Sequence, residues 1–282
     1  MIHTSRQLKD LVRNKSKSDS KKAQSLIRIY CMERFLERLS VSPYKKNFIL
    51  KGGILVSSMV GVDRRVTMDI DTTIKGQNLS VEDARRIISE IISIPLEDGI
   101  RFELLDAGEI MEGAEYTGVR IHLNAWLEKM KTPVKIDIST GDIITPREIS
   151  YSYKLMFEDR EINLLSYNLV TTLAEKIETV ISRGTANTRL RDFYDIYVLS
   201  DTYADEIEWD VLEEALKATS RKRGSEGILE EADIILQELY NDEGMRYHWE
   251  NYQKKNDYAS DLSWEEIMDR LVQICGRLHE GN

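Results

Sequence analysis

The sequence predicts an α+β protein in which a mixed sheet with flanking helices precedes a helical region. Short apolar and β-branched runs of strand length lie between residues 48 and 139, interspersed with segments of helical periodicity. From Leu169 onward helical periodicity dominates, and no proline follows Pro146. We therefore expect two domains, residues 1–148 and 149–282.

The elements of both domains follow from these patterns. In the first domain we predict helices at 3–13, 25–39, 54–59 and 81–93, the last capped by Ser80, and strands at 48–50, 66–75, 101–107, 118–126 and 133–139. In the second domain we predict helices at 170–182, 189–200, 209–218, 227–239 and 264–278.

Composition excludes several classes of protein. The chain has 282 residues, of which 41% are hydrophobic and 31% charged, as in globular proteins with a core. No apolar run approaches the ~20 residues that span a bilayer, and the N-terminal sequence lacks the apolar segment of a secretion signal. Cys31 and Cys275 have no metal or disulfide spacing. We expect a cytoplasmic protein with no membrane association.

Charge is distributed unevenly along the chain. Residues 1–51 contain 13 Lys/Arg and 4 Asp/Glu, whereas the remaining 231 residues contain 26 basic and 45 acidic ones. A basic segment on an acidic body could bind a polyanion such as a nucleic acid. A solvated, charged helix explains the same composition equally well.

Three carboxylates provide the clearest chemical signal. Asp69 and Asp71 are two residues apart in a predicted strand and so share a face, together with Thr67. Asp137 lies on a later strand. Converging carboxylates are typical ligands of Mg²⁺, and two such ions could assist attack on a nucleotide α-phosphate. The alternative is that these acids lie at the surface of an edge strand.

A glycine pair precedes the acids. Gly52 and Gly53 follow an apolar strand and open a helix, an arrangement that lets backbone amides approach phosphate. Lys51 and Ser57 are further candidates for nucleotide binding at this turn. The pattern is not a P-loop, because the lysine precedes the glycines. A tight turn without a ligand is an equally good explanation.

The predicted helical domain contains a second group of charged residues. Lys176 adjoins the apolar face of its helix, and Arg189 and Asp192 follow the turn at Gly184. Such residues could bind a triphosphate. From spacing alone, a structural salt-bridge network is the better explanation.

Taken in order, these segments resemble a known family. The motifs are KGG before a helix, R-x-T-x-D-I-D, K-I-D-I, T-L-x-E-K and R-x-R-D-F-Y-D-I, which together run from Lys51 to Leu199. They resemble the AbiEii/AbiGii-type nucleotidyltransferase toxins of bacterial abortive infection (phage defence). The resemblance implies a polymerase-β-like nucleotidyltransferase fold with a C-terminal helical domain, and a type IV toxin–antitoxin system.

The resemblance also assigns roles to the first group of residues. The family's metal-binding acids fall on Asp69 and Asp71, and its glycine turn falls on Gly52 and Gly53. The general nucleotidyltransferase turn is Gly-Ser, so here amides rather than a hydroxyl would hold the phosphates. Thr67 matches a hydroxyl position that is modified in some relatives.

The other family positions lie further along the chain. The third acid, which varies within the family, falls on Asp137. The essential lysine falls on Lys176, and the helical catalytic aspartate on Asp192, which would orient the lysine or assist proton removal from the acceptor.

The resemblance implies a Mg²⁺-dependent toxin that moves a nucleotidyl group from an NTP, either GTP or a pyrimidine triphosphate, to an acceptor. We expect the acceptor to be an RNA 3′ end, in particular that of tRNA, bound by the basic segment 1–51. We also expect a monomer, and a separately encoded antitoxin that need not bind it. The alternatives are an NTP-dependent RNA-binding module that acts by sequestration, and nucleotidylation of a protein hydroxyl.

Overall fold

The computed structural model describes residues 2–76, 79–110 and 118–279. The chain divides into two compact units: a sheet unit, Met1–Asp142 with Ile149–Ser166, and a helical unit, Ile143–Glu148 with Tyr167–Asn282. The predicted domains divided the chain once, after residue 148. The observed units exchange two segments around that point, because Ile149–Ser166 carries strands that hydrogen-bond into the sheet.

In the part of the chain that the structure describes, the sheet unit contains four helices in its N-terminal part and ends in five consecutive strands. Its helices are α1 (Ser5–Ser16), α2 (Ser20–Val41), α3 (Gly52–Val60) and α4 (Val81–Ile92), and its strands are β1 (Phe48–Lys51), β2 (Ile70–Ile74), β3 (Ile100–Glu109), β4 (Gly118–Leu127), β5 (Met130–Thr140), β6 (Ile149–Lys154) and β7 (Glu161–Ser166).

Within the described residues, seven strands form one mixed sheet in the order β3-β4-β5-β2-β1-β7-β6. Strands β3, β4 and β5 form an antiparallel meander, and β5 also pairs with β2 in parallel. Strand β1 lies antiparallel to β2 and parallel to β7. The central strands β1, β2 and β5 carry the glycine turn and the acids, so this topology gathers the predicted site.

The predicted class, a mixed sheet with flanking helices and a helical C-terminal region, is confirmed. All five predicted strands occur, but β2 begins at Ile70 rather than at residue 66, since its ladder with β1 extends only from Asp71 to Ile74. The hairpin β6–β7 was not predicted. Its first strand, ISYSYK, is mostly polar and exposed because it lies at the edge of the sheet.

Helix α2 packs charged residues into the interior of the sheet unit. The guanidinium of Arg38 donates to both carboxylate oxygens of Asp98 at 2.6 and 2.9 Å, and it also donates to the Ile100 carbonyl. Arg34 pairs with Glu158 at 3.0 Å. Buried charges are tolerated only when they are paired, so these two arginines of the basic segment serve the fold rather than a nucleic acid.

The helical unit contains α5 to α11. Asn168 caps α5 by accepting from the amide of Thr171. The predicted helix 227–239 is interrupted between Leu229 and Ala232, and α10 was not predicted. The helices are α5 (Leu169–Arg183), α6 (Leu190–Thr202), α7 (Trp209–Arg223), α8 (Glu226–Leu229), α9 (Ala232–Asn241), α10 (Glu243–Gln253) and α11 (Trp264–His279).

Hydropathy of the helices bears on membrane association. Among the helices of the described ranges, none is both long and apolar enough to cross a bilayer.

A buried acid in α2 should make the stability of the protein depend on pH. Burial raises the pKa of the Glu33 carboxyl to about 8, although Arg34 and the Met156 amide act in the opposite direction. Between the ordinary value of 4.5 and about 8, the unfolded chain loses a proton that the folded chain keeps. The free energy of unfolding should therefore fall as pH rises through this range.

We expect Glu33→Gln to reduce this fall. Urea unfolding at about pH 5 and about pH 8.5 measures it, and Glu82→Gln, at an exposed position of α4, is the control. Equal pH dependence in the wild type and Glu33→Gln would contradict the assignment.

Candidate active site

Four charged side chains form a row across the middle of the sheet. The register pairs Lys51 of β1 with Asp71 of β2, Asp71 with Asp137 of β5, and Asp137 with Arg120 of β4. Residues paired across neighbouring strands lie on the same face. The row therefore reads positive, negative, negative, positive, with the two acids at its centre.

Asp71 lies against the glycine turn. The amide of Gly53 donates to Asp71 Oδ2 at 3.4 Å, and a Cβ at Gly52 would come within 2.3 Å of the same oxygen. Gly52 has φ of +65° and is the first residue of α3. The N-terminus of a helix favours negative charge, so this turn both admits and stabilises the Asp71 carboxylate.

Lys51 is buried beneath the same turn, with 3% of its surface exposed. Its ammonium pairs with Asp142 Oδ2 at 2.5 Å, and Asp142 also accepts from the Ser139 hydroxyl at 2.7 Å. This pairing fixes the lysine side chain at the end of β1. Lys51 therefore connects the glycine turn to the end of β5.

Asp69 lies just before β2, in an irregular segment rather than within the predicted strand. Lys135 of β5 pairs with Asp69 Oδ2 at 2.8 Å and approaches Asp137 Oδ2 at 3.8 Å. Asp137 is bound more firmly by Arg120, whose Nε and Nη2 donate to its two oxygens at 2.8 Å each. Such a bidentate pair is strong and directional.

The remaining predicted residues of the turn differ in access. Thr67 is nearly buried, and its Oγ1 would lie 2.7 Å from a Cβ at Gly53. Ser57 is 1% exposed within α3, and among the described residues its hydroxyl has no hydrogen-bond partner. Both hydroxyls are therefore buried, and that of Thr67 lies directly beside Gly53.

The donor set fits Mg²⁺ in part. Asp69 and Asp71 supply the hard oxygen donors that this ion prefers, and Mg²⁺ is commonly held by one or two carboxylates together with substrate phosphates. Asp137 fits less well, because both of its oxygens are bound to Arg120. In the described part of the chain, no three Asp, Glu, His or Cys side chains are grouped as a metal site. Among the three predicted acids, Asp69 and Asp71 are therefore the better candidates for metal ligands.

In the helical unit, the structure brings the second predicted group together. The Lys176 ammonium, on α5, donates to Asp192 at 2.9 Å and to Asp195 at 2.7 Å, both on α6. Arg189 lies 3.4 Å from the other Asp192 oxygen. Burial alone would raise the pKa of Asp192, but the charges of Lys176 and Arg189 lower it below its ordinary value. The group is a buried ion-pair network.

The structure adds three residues that sequence reasoning did not select. Asp195 is three positions after Asp192 on one side of α6, so its spacing was a usable signal. Lys135 is two positions before Asp137 and therefore shares its strand face. Arg120 could not be found without the β4–β5 register.

The family of the chain follows from its sequence. Residues 34–270 match the model of the nucleotidyl transferase AbiEii toxin family, type IV toxin–antitoxin system. The chain belongs to this family, and it is therefore a nucleotidyltransferase and the toxin component of a toxin–antitoxin system. Membership also implies a cognate antitoxin. No curated protein matches the sequence significantly.

Solved structures support the fold. JHP933 from Helicobacter pylori is 15% identical, with a TM-score of 0.53 over 92% of this chain and 93% of that one. A candidate nucleotidyltransferase from H. pylori is 16% identical, with a TM-score of 0.52 over 92% of this chain and 96% of that one. At these identities the likeness concerns the fold alone.

The contact between Asp71 and the turn predicts a specific sensitivity to substitution. Gly52→Ala should destabilise the protein more than Gly76→Ala, by about 1–3 kcal/mol, because only the first introduces a clash. Both glycines have positive φ, +65° and +73°, but a Cβ at Gly76 would meet no atom within 4 Å. Urea unfolding measures both variants. Equal losses would show that Asp71 does not restrict the turn.

Proposed function

We propose that the protein transfers a nucleotidyl group from an NTP to the 3′ end of an RNA, with tRNA as the expected acceptor. The observation that carries this proposal is the contact of the Asp71 carboxylate with both glycines at the start of α3. It places an acid of the kind that binds metal beside amides of the kind that bind phosphate.

Different residues of the sheet unit would bind the metal and the phosphates of the nucleotide. Asp69 and Asp71 would hold Mg²⁺, which when bound neutralises phosphate charge and orients the triphosphate. The amides of Gly52 and Gly53 would bind phosphate oxygens. Lys51, which pairs with Asp142, would stabilise the glycine turn that follows it.

Lys176 and Asp192 enter the proposal through the family resemblance. Lys176 would neutralise negative charge that develops on the phosphate. Asp192 and Asp195, at 2.9 and 2.7 Å from its ammonium, compensate the charge of the lysine and restrict its rotamers. This contact supports the role of Asp192 as the residue that orients Lys176, and it extends that role to Asp195.

The acceptor would be bound by the N-terminal basic segment. Three of its cations, Arg34, Arg38 and Lys51, are buried and paired with acids. Lys15 and Lys22 both pair with Asp63. The exposed cations are Arg6, Lys9, Arg13, Lys17, Lys21, Lys45 and Lys46. Most of them lie on α1 or at the start of α2, and this surface is the proposed RNA contact.

A labelled-nucleotide assay with total RNA and each of the four NTPs tests transfer. We expect label on RNA, and we expect Asp71→Asn and Lys176→Met each to lower the rate by at least about 100-fold, since each removes a charge that the proposed reaction requires. Asp106→Asn, at an exposed position of β3, should leave the rate unchanged.

The other outcomes of this assay decide between the alternatives. Label on protein would favour nucleotidylation of a protein hydroxyl. RNA binding that requires nucleotide, but leaves no label, would favour sequestration. Transfer at the wild-type rate by both Asp71→Asn and Lys176→Met would contradict the assignment of these residues.

The RNA surface is tested by charge reversal. Arg6→Glu combined with Lys9→Glu should weaken RNA binding and reduce the slope of log affinity against log salt by about 1 for each lost phosphate contact. Acidic residues suit the first turns of α1, so the helix should persist. The matched control is Lys254→Glu with Lys255→Glu, the same change in charge at exposed positions after α10. Equal weakening by both pairs would exclude a specific surface on α1.

A further inference from the structure

A lysine ammonium lies beside Asp69, the first of the two acids proposed to bind metal. Lys135 Nζ is 2.8 Å from Asp69 Oδ2 and 3.8 Å from Asp137 Oδ2. Asp69 and Asp137 come from different segments, and the Lys135 ammonium approaches both of them. A divalent cation bound by Asp69 would use the same carboxylate, so the cation and the ammonium would compete for Asp69.

The two acids depend on this lysine to different degrees. Asp137 has a bidentate partner in Arg120, with both distances at 2.8 Å, and its 3.8 Å contact with Lys135 is the longer one. Asp69 is paired with Lys135 at hydrogen-bonding distance. The lysine therefore neutralises mainly Asp69, which would otherwise lie near the like charge of Asp137.

The Lys135 side chain is also able to move away from Asp69. Its side chain is 28% exposed and that of Asp69 is 27% exposed, so both can be solvated separately. Lysine is a point charge on a flexible four-carbon stem, in contrast to the planar fork by which Arg120 binds Asp137. An ion pair of this exposure adds little stability, so a more highly charged cation can replace it.

We propose that Lys135 is a resident counter-ion of Asp69, and that it competes with the divalent metal and is released when the metal binds. The inference rests on the proposed function, because it takes Asp69 as a metal ligand. It gives Lys135 a positioning role: the lysine holds Asp69 in place before the metal arrives, and it sets the metal concentration at which the site fills.

Metal affinity, measured without nucleotide or RNA, tests this role. Mn²⁺ is a suitable probe because it shares the preference of Mg²⁺ for oxygen ligands and because free Mn²⁺ is counted directly by electron paramagnetic resonance. We expect Lys135→Met to bind Mn²⁺ about three- to tenfold more tightly than the wild type, since a competing and repelling charge is removed. Lys135→Gln should behave in the same way and guards against a local packing defect.

The control for net charge is Lys131→Met. Lys131 is four residues earlier on β5, about 13 Å away along the strand, and its ammonium lies over the Trp126 ring. That separation exceeds the screening length of about 8 Å at physiological salt. Its Mn²⁺ affinity should therefore equal that of the wild type. In an Asp69→Asn background, Lys135→Met should bring no gain, because the competition concerns that carboxylate.

Each other result has a definite meaning. Unchanged or weaker Mn²⁺ binding in both Lys135 variants, with binding intact in the wild type, overturns the counter-ion role and leaves the proposed function standing. An equal gain in Lys131→Met reduces the effect to net charge and also overturns it. Absence of Mn²⁺ binding in the wild type and in every variant overturns this inference, because no metal then competes with Lys135 before the nucleotide arrives. The assignment of Asp69 and Asp71 as ligands of a metal that is also held by substrate phosphates would then depend on the transfer assay.

Discussion

Three carboxylates at the centre of the sheet unit need compensating partners, and this need constrains the elements around them. Asp71 and Asp137 are paired on neighbouring central strands, and Asp69 precedes the same strand as Asp71. Each acid is stabilised in a different way: Asp71 by the first turn of α3, Asp137 by Arg120, and Asp69 by Lys135. The positions of the glycine turn, of β4 and of β5 are all constrained by this need for compensation.

The differences between these partners have a functional meaning. An amide at a helix terminus and a bidentate guanidinium are fixed groups, whereas a partly exposed ammonium can move. The site therefore combines two carboxylates that have fixed partners with one whose partner is a partly exposed lysine. The same contrast applies to the cations of the N-terminal segment, where Arg34 and Arg38 are buried, whereas Arg6, Lys9 and Arg13 of α1 are exposed.

The fold was largely predictable because its central elements carry strong local signals. The strand before Gly52, the Ser80 cap and the strands β4 and β5 all follow from spacing and turn chemistry. The edge hairpin β6–β7 did not, since an exposed strand carries no apolar run. The start of β2 was also placed too early, because residues of high strand propensity before Ile70 have no ladder partner in β1.

The residues of the site were also predictable where the signal was local, and not where it depended on strand pairing. Asp69, Asp71 and the glycines were found because they are close in sequence. Arg120 and Lys135 become meaningful only through the register, which sets them beside acids 17 and 66 residues away. Spacing alone favoured a salt-bridge network for Lys176 and Asp192, and such a network is present.

The exchange of segments around residue 148 has a consequence for the modular character of the protein. A fragment that ended at this residue would lack β6 and β7. One edge of β1 would then be without β7, its parallel neighbour. Unpaired strand edges recruit other chains and cause aggregation. Neither unit is a contiguous piece of the gene product, so recombination between relatives could exchange the helical unit only by crossing over at more than one position. Exchange of the whole sheet that carries the acids requires that Met1–Asp142 and Ile149–Ser166 come from the same relative.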